Sequence, residues 1–301
     1  MIPQKRIFMS LLCSVALLGS LQSGEGIAGS EQSPAILGEL RESRTVKVLI
    51  AAHRGGYEND LADEAPENSV ANIRNSQEKR YELFETDIQR TKDGHFVIVH
   101  DPTIDRETSG SGKVSEMTLD EVRSLRKRYR DRSLSQERVA TLEEFLIEGK
   151  GRTVFKADLK PGVNEYFGAI LKLLAKCDAQ AGVIFRVPYR DANLFERFNR
   201  EWGPVPKHTW MFRVTSKEQV DDIKKRFDSS TISIVSDRAD PSSEKTLELI
   251  RYSRDSGFVV EAHAEGNEED WRKLIDAGVS ILHARAPSGV RKFLDSLQSV
   301  E

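Results

Sequence analysis

The chain has 301 residues, 31% of them charged, and a formal net charge of −3. With 45 basic against 48 acidic residues, no excess of one sign draws it to nucleic acid, and a hydrophobic share of 38% excludes a disordered chain. Two cysteines are too few for a disulfide scaffold or a cysteine-rich zinc site. The length suits either two ordinary domains or one α/β barrel, which uses about 250 residues.

The N-terminus has the form of an export signal. Lys5 and Arg6 precede the apolar run from Ile7 to Leu21, and the small residues of SGEGIAGS follow, with cleavage expected after Gly26 or Ala28. The apolar run falls short of the ~20 residues of a spanning helix. Residues 1–28 are therefore expected to be removed on export to the periplasm or medium, leaving no stable membrane span. Cys13 lies within the apolar run and follows the bulky Leu12, which argues against a lipoprotein site; Cys177 then remains as a lone thiol.

From residue 45 onward, strands and helices alternate. Apolar runs predict strands at 46–52, 81–88, 95–100, 152–159, 181–187, 209–214, 230–236, 257–263 and 278–284. Amphipathic helices are expected at 69–80, 163–177, 192–202, 217–227, 243–256 and 268–278, with Ser242 as a start signal and Gly257 and Gly278 as stops. Repeated βα units imply a parallel sheet with right-handed crossovers. Counting 81–100 as one hairpin-like unit leaves about eight, the number that closes a (β/α)8 barrel.

Residues 101–150 interrupt this rhythm as an insertion after the second strand unit, on the face where barrel active sites lie. No strand is evident within it. Two short helices are expected near Thr118 and Thr141, where TLDE and TLEE have capping-box form. The basic stretch 123–132 is read as the solvated face of a short helix.

Alternation along the strands places unusual residues where a barrel core belongs. Glu85 and Asp87 share one face, as do Lys156, Asp158 and Lys160. Three converging carboxylates demand compensation, and oxygen ligands suit Mg2+ or Ca2+ better than zinc or copper. His53 and His100 end strands on the same face of the barrel. Two histidines beside a cation and Arg54 suit general acid–base attack on a phosphate ester, the guanidinium holding the phosphate.

The ordered motifs AHRG (52–55), PEN (66–68), ETD (85–87), TKDG (91–94), HDPTIDRETSGSG (100–112), VATLEEFL (139–146) and DLKP (158–161) resemble the glycerophosphodiester phosphodiesterase family. The resemblance implies a TIM barrel, a bound divalent cation, and hydrolysis of small-molecule glycerophosphodiesters to glycerol 3-phosphate and an alcohol. By position, it makes Glu85 and Asp87 metal ligands, with Asp158 standing where the family usually has glutamate. His53 and His100 match the acid–base pair, and Arg54 and Lys160 the substrate contacts. Glu67 is either a ligand or a residue that positions Arg54 and His53, while Asn68 and Asp101 orient ligands. The implied course is attack on phosphorus by the free glycerol hydroxyl through a cyclic phosphate, with direct attack by water as the other route.

The second half departs from the family pattern at VVEAHAEGN (259–267) and ILHARAP (281–287). Glu261 and His263 share a face there, as do His283 and Arg285; they are either ordinary strand-end polar groups or a changed leaving-group pocket. Arg186 and Trp210 are further candidates for substrate contact. Two other readings accompany the hydrolase: a phospholipase acting on lysophospholipid or phosphoinositide with the same barrel, and a binding protein that has lost turnover.

Overall fold

The computed structural model describes residues 32–45, 47–56, 65–202, 207–234 and 239–298. The expected export segment lies outside them, and among the described residues no helix is long and apolar enough to cross a membrane. In chain order the elements are α1 (Gln32–Arg41), β1 (Leu49–Ala52), α2 (Val70–Glu78), β2 (Leu83–Arg90), β3 (Phe96–Ile98), α3 (Leu119–Ser124), β4 (Arg126–Arg128), β5 (Leu134–Arg138), α4 (Leu142–Gly149) and β6 (Val154–Leu159). They continue with α5 (Phe167–Lys176), β7 (Val183–Pro188), α6 (Ala192–Trp202), β8 (Trp210–Val214), α7 (Lys217–Arg226), β9 (Thr231–Ile234), α8 (Glu244–Asp255), β10 (Val259–His263), α9 (Glu268–Ala277), β11 (Val279–Ala284) and α10 (Pro287–Gln298).

Eight parallel strands, β1, β2 and β6 to β11, close on themselves because β1 pairs with both β11 and β2. The chain is thus the (β/α)8 barrel that its periodicity predicts. All nine expected strands are present, with starts one to three residues later than expected, while β2 and β7 run two and one residues past their expected ends. The fragment α1 and the final α10 are additions to the expected helices.

The interior has a graded composition. At the N-terminal ends of the strands, Leu49, Ala51, Leu83, Val154, Ile184, Met211, Val259 and Ile281 form one apolar cluster, plugged from below by Ile36, Leu37 and Leu40 of α1. Two residues further along the same faces come Glu85, Lys156, Arg186, Arg213, Glu261 and His283. The opposite strand faces pack against the helices, where Phe167, Phe185, Phe195 and Trp210 make a ring cluster. Trp210 is therefore a core residue at the base of β8, and not a substrate contact: it starts its strand and points to the helix layer.

Strand β3 explains how the second unit remains compatible with closure. β1 covers the lower edge of β2 at Leu83 and Phe84, and β3 takes over the same edge antiparallel at Ile88–Arg90.

The insertion corrects two expectations. Both capping boxes form, at Thr118–Glu121 and Thr141–Glu144. Between them, however, β4 and β5 make an antiparallel hairpin, which the charged sequence concealed because it lacks an apolar alternation. Nor is the basic stretch wholly solvated. Lys127 is fully buried, 3.4 Å from the equally buried Glu107, and donates to the Asn68 carbonyl at 3.2 Å. A smaller change concerns α8: Ser243 is its cap residue, while Ser242 Oγ donates to Asp270.

Removing one partner of a buried ion pair leaves the other charge uncompensated. Lys127→Met should accordingly lower unfolding free energy by about 3–5 kcal/mol, measured by denaturant titration; a loss below about 1 kcal/mol would show that Glu107 is satisfied without it.

Candidate active site

The site begins with a tight turn. After β1, residues His53–Gly55 form a single 3-10 turn in which Arg54 is left-handed (φ 53°, ψ 30°) and Gly55 has φ 84°. A Cβ on Gly55 would lie 2.3 Å from the Phe84 ring, so only glycine fits this close approach. Side chains of α2 hold the turn: Asn72 donates to the Arg54 carbonyl and Ser76 to that of Gly55. The arginine backbone N–H donates to Glu85 Oε2 at 2.9 Å. The turn aims His53 across the barrel mouth, its Nε2 4.0 Å from Glu85 Oε2.

Three carboxylates meet at the floor: Glu85, Asp87 and Asp158 each place an oxygen within 4.8 Å of the others. Asp87 accepts from Asn68 at 3.0 Å and pairs with Lys160 at 2.6 Å. Asp158 is gripped by the Arg186 guanidinium through Nε and Nη2. Glu85 has weaker compensation, with Arg186 4.0 Å away. Burial, and then the neighbouring Asp87 and Asp158 charges, push its carboxyl up to about 8. Burial opposes the ionised form of Asp158 as well, but Arg186 overcomes it and holds that carboxyl below its ordinary range. Below them, Lys156 and Glu261 make a fully buried pair at 2.6 Å, and Ser233 donates to the same carboxylate.

This donor set fits a divalent cation. Glu85 and Asp87 lie on one strand face with Asp158 directly across the ladder from Asp87, and the cluster retains an electrostatic excess that raises Glu85. Glu85, Asp87 and Asp158 could hold the ion, with Asp158 shared with Arg186. Glu67 stands apart from this group. Its carboxylate binds Arg54 at 2.8 Å and Arg106 at 2.5 Å, and these two cations outweigh burial to keep it ionised. It therefore positions Arg54.

His100 reaches the same mouth from the end of β3. Its Nδ1 lies 2.6 Å from Asp101 Oδ1, and its backbone N–H donates to Glu107. Asp101 is held to about 2, with Arg106 and His100 overcoming its partial burial. Arg106 links Glu67, Asp101 and Glu107, all within 3.1 Å. Sequence reasoning passed over Arg106, Glu107 and Lys127; an arginine and a glutamate inside a loop carry no periodic signal.

A cavity of about 280 Å³ is lined by His53, Arg54, His100, Arg186, His263, Glu265, His283 and Arg285. The two expected acid–base histidines thus face one space, and Arg186 joins them. His283 lies between the other rings, its centroid 5.3 Å from His53 and 4.5 Å from His263. Burial, aided by Lys156 and Arg186, keeps the His283 ring neutral, and burial brings His263 down to about 4. Lys160 does not line the cavity directly but reaches Asp87 at its floor.

A model of the glycerophosphoryl diester phosphodiesterase family matches residues 53–168, the segment that contributes every carboxylate and histidine of the site named above except Glu261, His263, Glu265 and His283. A glycerophosphodiester phosphodiesterase of Caldanaerobacter subterraneus is 36% identical over 131 residues, 43% of this chain and 52% of that protein. Glycerophosphodiester phosphodiesterase 1 of Mus musculus is 38% identical over 105 residues, 34% of this chain and 30% of its own length. These matches span about half or less of those relatives. A Bacillus subtilis glycerophosphodiester phosphodiesterase is 27% identical over 80% of this chain and 84% of its own. Among solved structures, a glycerophosphoryl diester phosphodiesterase from Parabacteroides distasonis superposes with a TM-score of 0.73 at 24% identity, covering 87% of this chain and 92% of that one. An Oleispira antarctica phosphodiesterase, solved with the product sn-glycerol-3-phosphate, gives 0.67 at 20% identity over 82% and 96%.

A cation takes the ionised form of Glu85, whereas the metal-free site favours its proton up to about pH 8. Affinity for Mg2+ or Ca2+ should therefore climb with pH between the ordinary carboxylate range and about 8, by up to about tenfold per unit, then level off. Calorimetric titrations at several pH values test this; affinity unchanged from pH 5.5 to 8 would refute the assignment of Glu85 as a ligand.

Proposed function

Since the chain belongs to the glycerophosphoryl diester phosphodiesterase family, we propose that it hydrolyses glycerophosphodiesters to glycerol 3-phosphate and an alcohol, dependent on a divalent cation and two histidines. The observation that carries this reading is the convergence of His53, His100 and Arg54 on one cavity directly above the carboxylates Glu85, Asp87 and Asp158.

Arg54 holds the phosphate, its guanidinium aligned by Glu67. His53 accepts the proton of the attacking glycerol hydroxyl. His100 delivers one to the leaving alcohol oxygen; Asp101 on its Nδ1 fixes the ring and supports it while it carries the proton. Once the alcohol has left, water opens the cyclic phosphate to give glycerol 3-phosphate. Lys160 pairs with Asp87 at the floor of the site and offsets its charge. Mg2+ or Ca2+ held by Glu85, Asp87 and Asp158 would supply charge neutralisation at the phosphoryl oxygens. The apolar run 7–21 and the small residues after it support export, with the mature protein acting in the periplasm or medium.

The test is release of glycerol 3-phosphate from glycerophosphoethanolamine and glycerophosphocholine, with EDTA treatment and readdition of Mg2+ or Ca2+. His53→Ala and His100→Ala should each lower kcat by about 10²–10⁴-fold, and EDTA should abolish turnover until metal is restored. Unaltered kcat in both variants, or full activity of demonstrably metal-free protein, would overturn the proposal. A phosphodiesterase that prefers lysophospholipids would instead release lysophosphatidic acid from lysophosphatidylcholine faster than glycerol 3-phosphate from the deacylated ester.

A further inference from the structure

The cations on the barrel mouth are unequally satisfied. Arg54 has Glu67, Arg186 has Asp158, and Arg285 lies 3.7 Å from Glu265. Arg213 differs from all three. It sits on the interior-facing side of β8, two residues beyond the buried Met211, and stands across the ladder from Pro188 of β7 and Ser233 of β9. That register raises it one layer above Arg186, which is opposite Met211. Its side chain is half-buried, and among the described residues it has no hydrogen-bond or ion-pair partner. Arg190, itself 3.8 Å from Asp191, also acts on it.

A half-buried guanidinium with no hydrogen-bonded counter-charge is costly unless an anion completes it. Burial, Arg186 and Arg190 disfavour its charge by more than Asp158 and Asp191 favour it, so the balance is short of an anion. Arg213 is not itself among the residues lining the cavity that Arg186 helps to form, but that lining contains, among the described residues, no Phe, Tyr or Trp, the side chains that cage a quaternary ammonium.

We propose that Arg213, beside Arg186 on the β7–β8 side of the mouth, binds an anionic group carried by the alcohol portion of the substrate. The inference rests on the phosphodiesterase reading for the identity of that alcohol. The glycerol half of a glycerophosphodiester is uncharged and the diester phosphate belongs to Arg54 and the metal-binding floor. A further anion must therefore reside on the leaving alcohol. The substrate class is a glycerophosphodiester whose alcohol bears a carboxylate or a phosphomonoester.

Glycerophosphoserine and glycerophosphoethanolamine differ by one carboxylate and provide the test for that group. A charge-assisted hydrogen bond should favour the serine ester in kcat/KM by about tenfold or more. In Arg213→Gln the ratio should collapse towards unity, and Arg213→Lys should retain part of it. Because Arg213 makes no side-chain hydrogen bond or ion pair among the described residues, the variants should melt with the wild type. The phosphomonoester alternative is distinguished with glycerophosphoglycerol phosphate in the same series. Equal kcat/KM for esters with and without an anion, or an equal loss for all of them in Arg213→Gln, would overturn the subsite. A preference kept in Arg213→Gln but lost in Arg285→Gln would place the anion on the other side of the mouth and also overturn it.

Binding of O-phosphoserine against O-phosphoethanolamine, followed by calorimetry in wild type and Arg213→Gln, separates this inference from the reading beneath it. Absent turnover of every ester with an Arg213-dependent preference in binding would overturn the phosphodiesterase and uphold the anion subsite. Turnover without any such preference would do the reverse.

Discussion

Glu85, Asp87 and Asp158 share one small volume inside the barrel, and the surrounding structure is arranged around their mutual repulsion. Burying like charges together is prohibitive without compensation. Lys160 and Asn68 compensate Asp87, and Arg186 compensates Asp158. Glu85 has the Arg54 backbone N–H and Arg186 only at 4.0 Å, and its raised carboxyl range records that shortfall. A divalent cation would complete the set. The apolar lower layer and its α1 plug provide the rigid floor on which these groups are fixed.

The insertion is coupled to this centre through a second chain of charges. Lys127 is buried against Glu107 and the Asn68 carbonyl; Glu107 accepts from the His100 and Asp101 backbones; Arg106 ties Asp101 to Glu67. Asn68 and Glu67 in turn reach Asp87 and Arg54. The hairpin β4–β5 therefore anchors both the carboxylate cluster and a histidine. This gives a physical reason for an excursion of some 50 residues between the second and third barrel strands. It also explains why a lysine within a basic stretch is interior: the fold brings it an acid from a distant loop position.

Much of the site was legible because strand alternation is local. Glu85 with Asp87, and Lys156 with Asp158, are two apart on strands whose other faces are apolar, and the structure turns both pairs inward. Thr118 and Thr141 cap their helices as their spacing requires, because a capping box is completed within four residues. Trp210 misled because its position near a strand terminus did not reveal which terminus faced the mouth; it lies at the base, in the helix-facing ring cluster. The hairpin β4–β5 and the Lys127–Glu107 pair were invisible because the partners are distant in sequence and charged residues carry no burial signal.

The sequence by itself determined the barrel, the inward carboxylates and the two strand-end histidines, since βα periodicity, a period of two and terminal position are properties of short segments. Tertiary structure alone decided how those charges are distributed among partners. Whether Arg186 serves Asp158, Lys156 serves Glu261 or Arg213 remains available on the rim depends on ladder register and ring closure. Those are relations between strands far apart in the chain, and closure is what brings them within bonding distance.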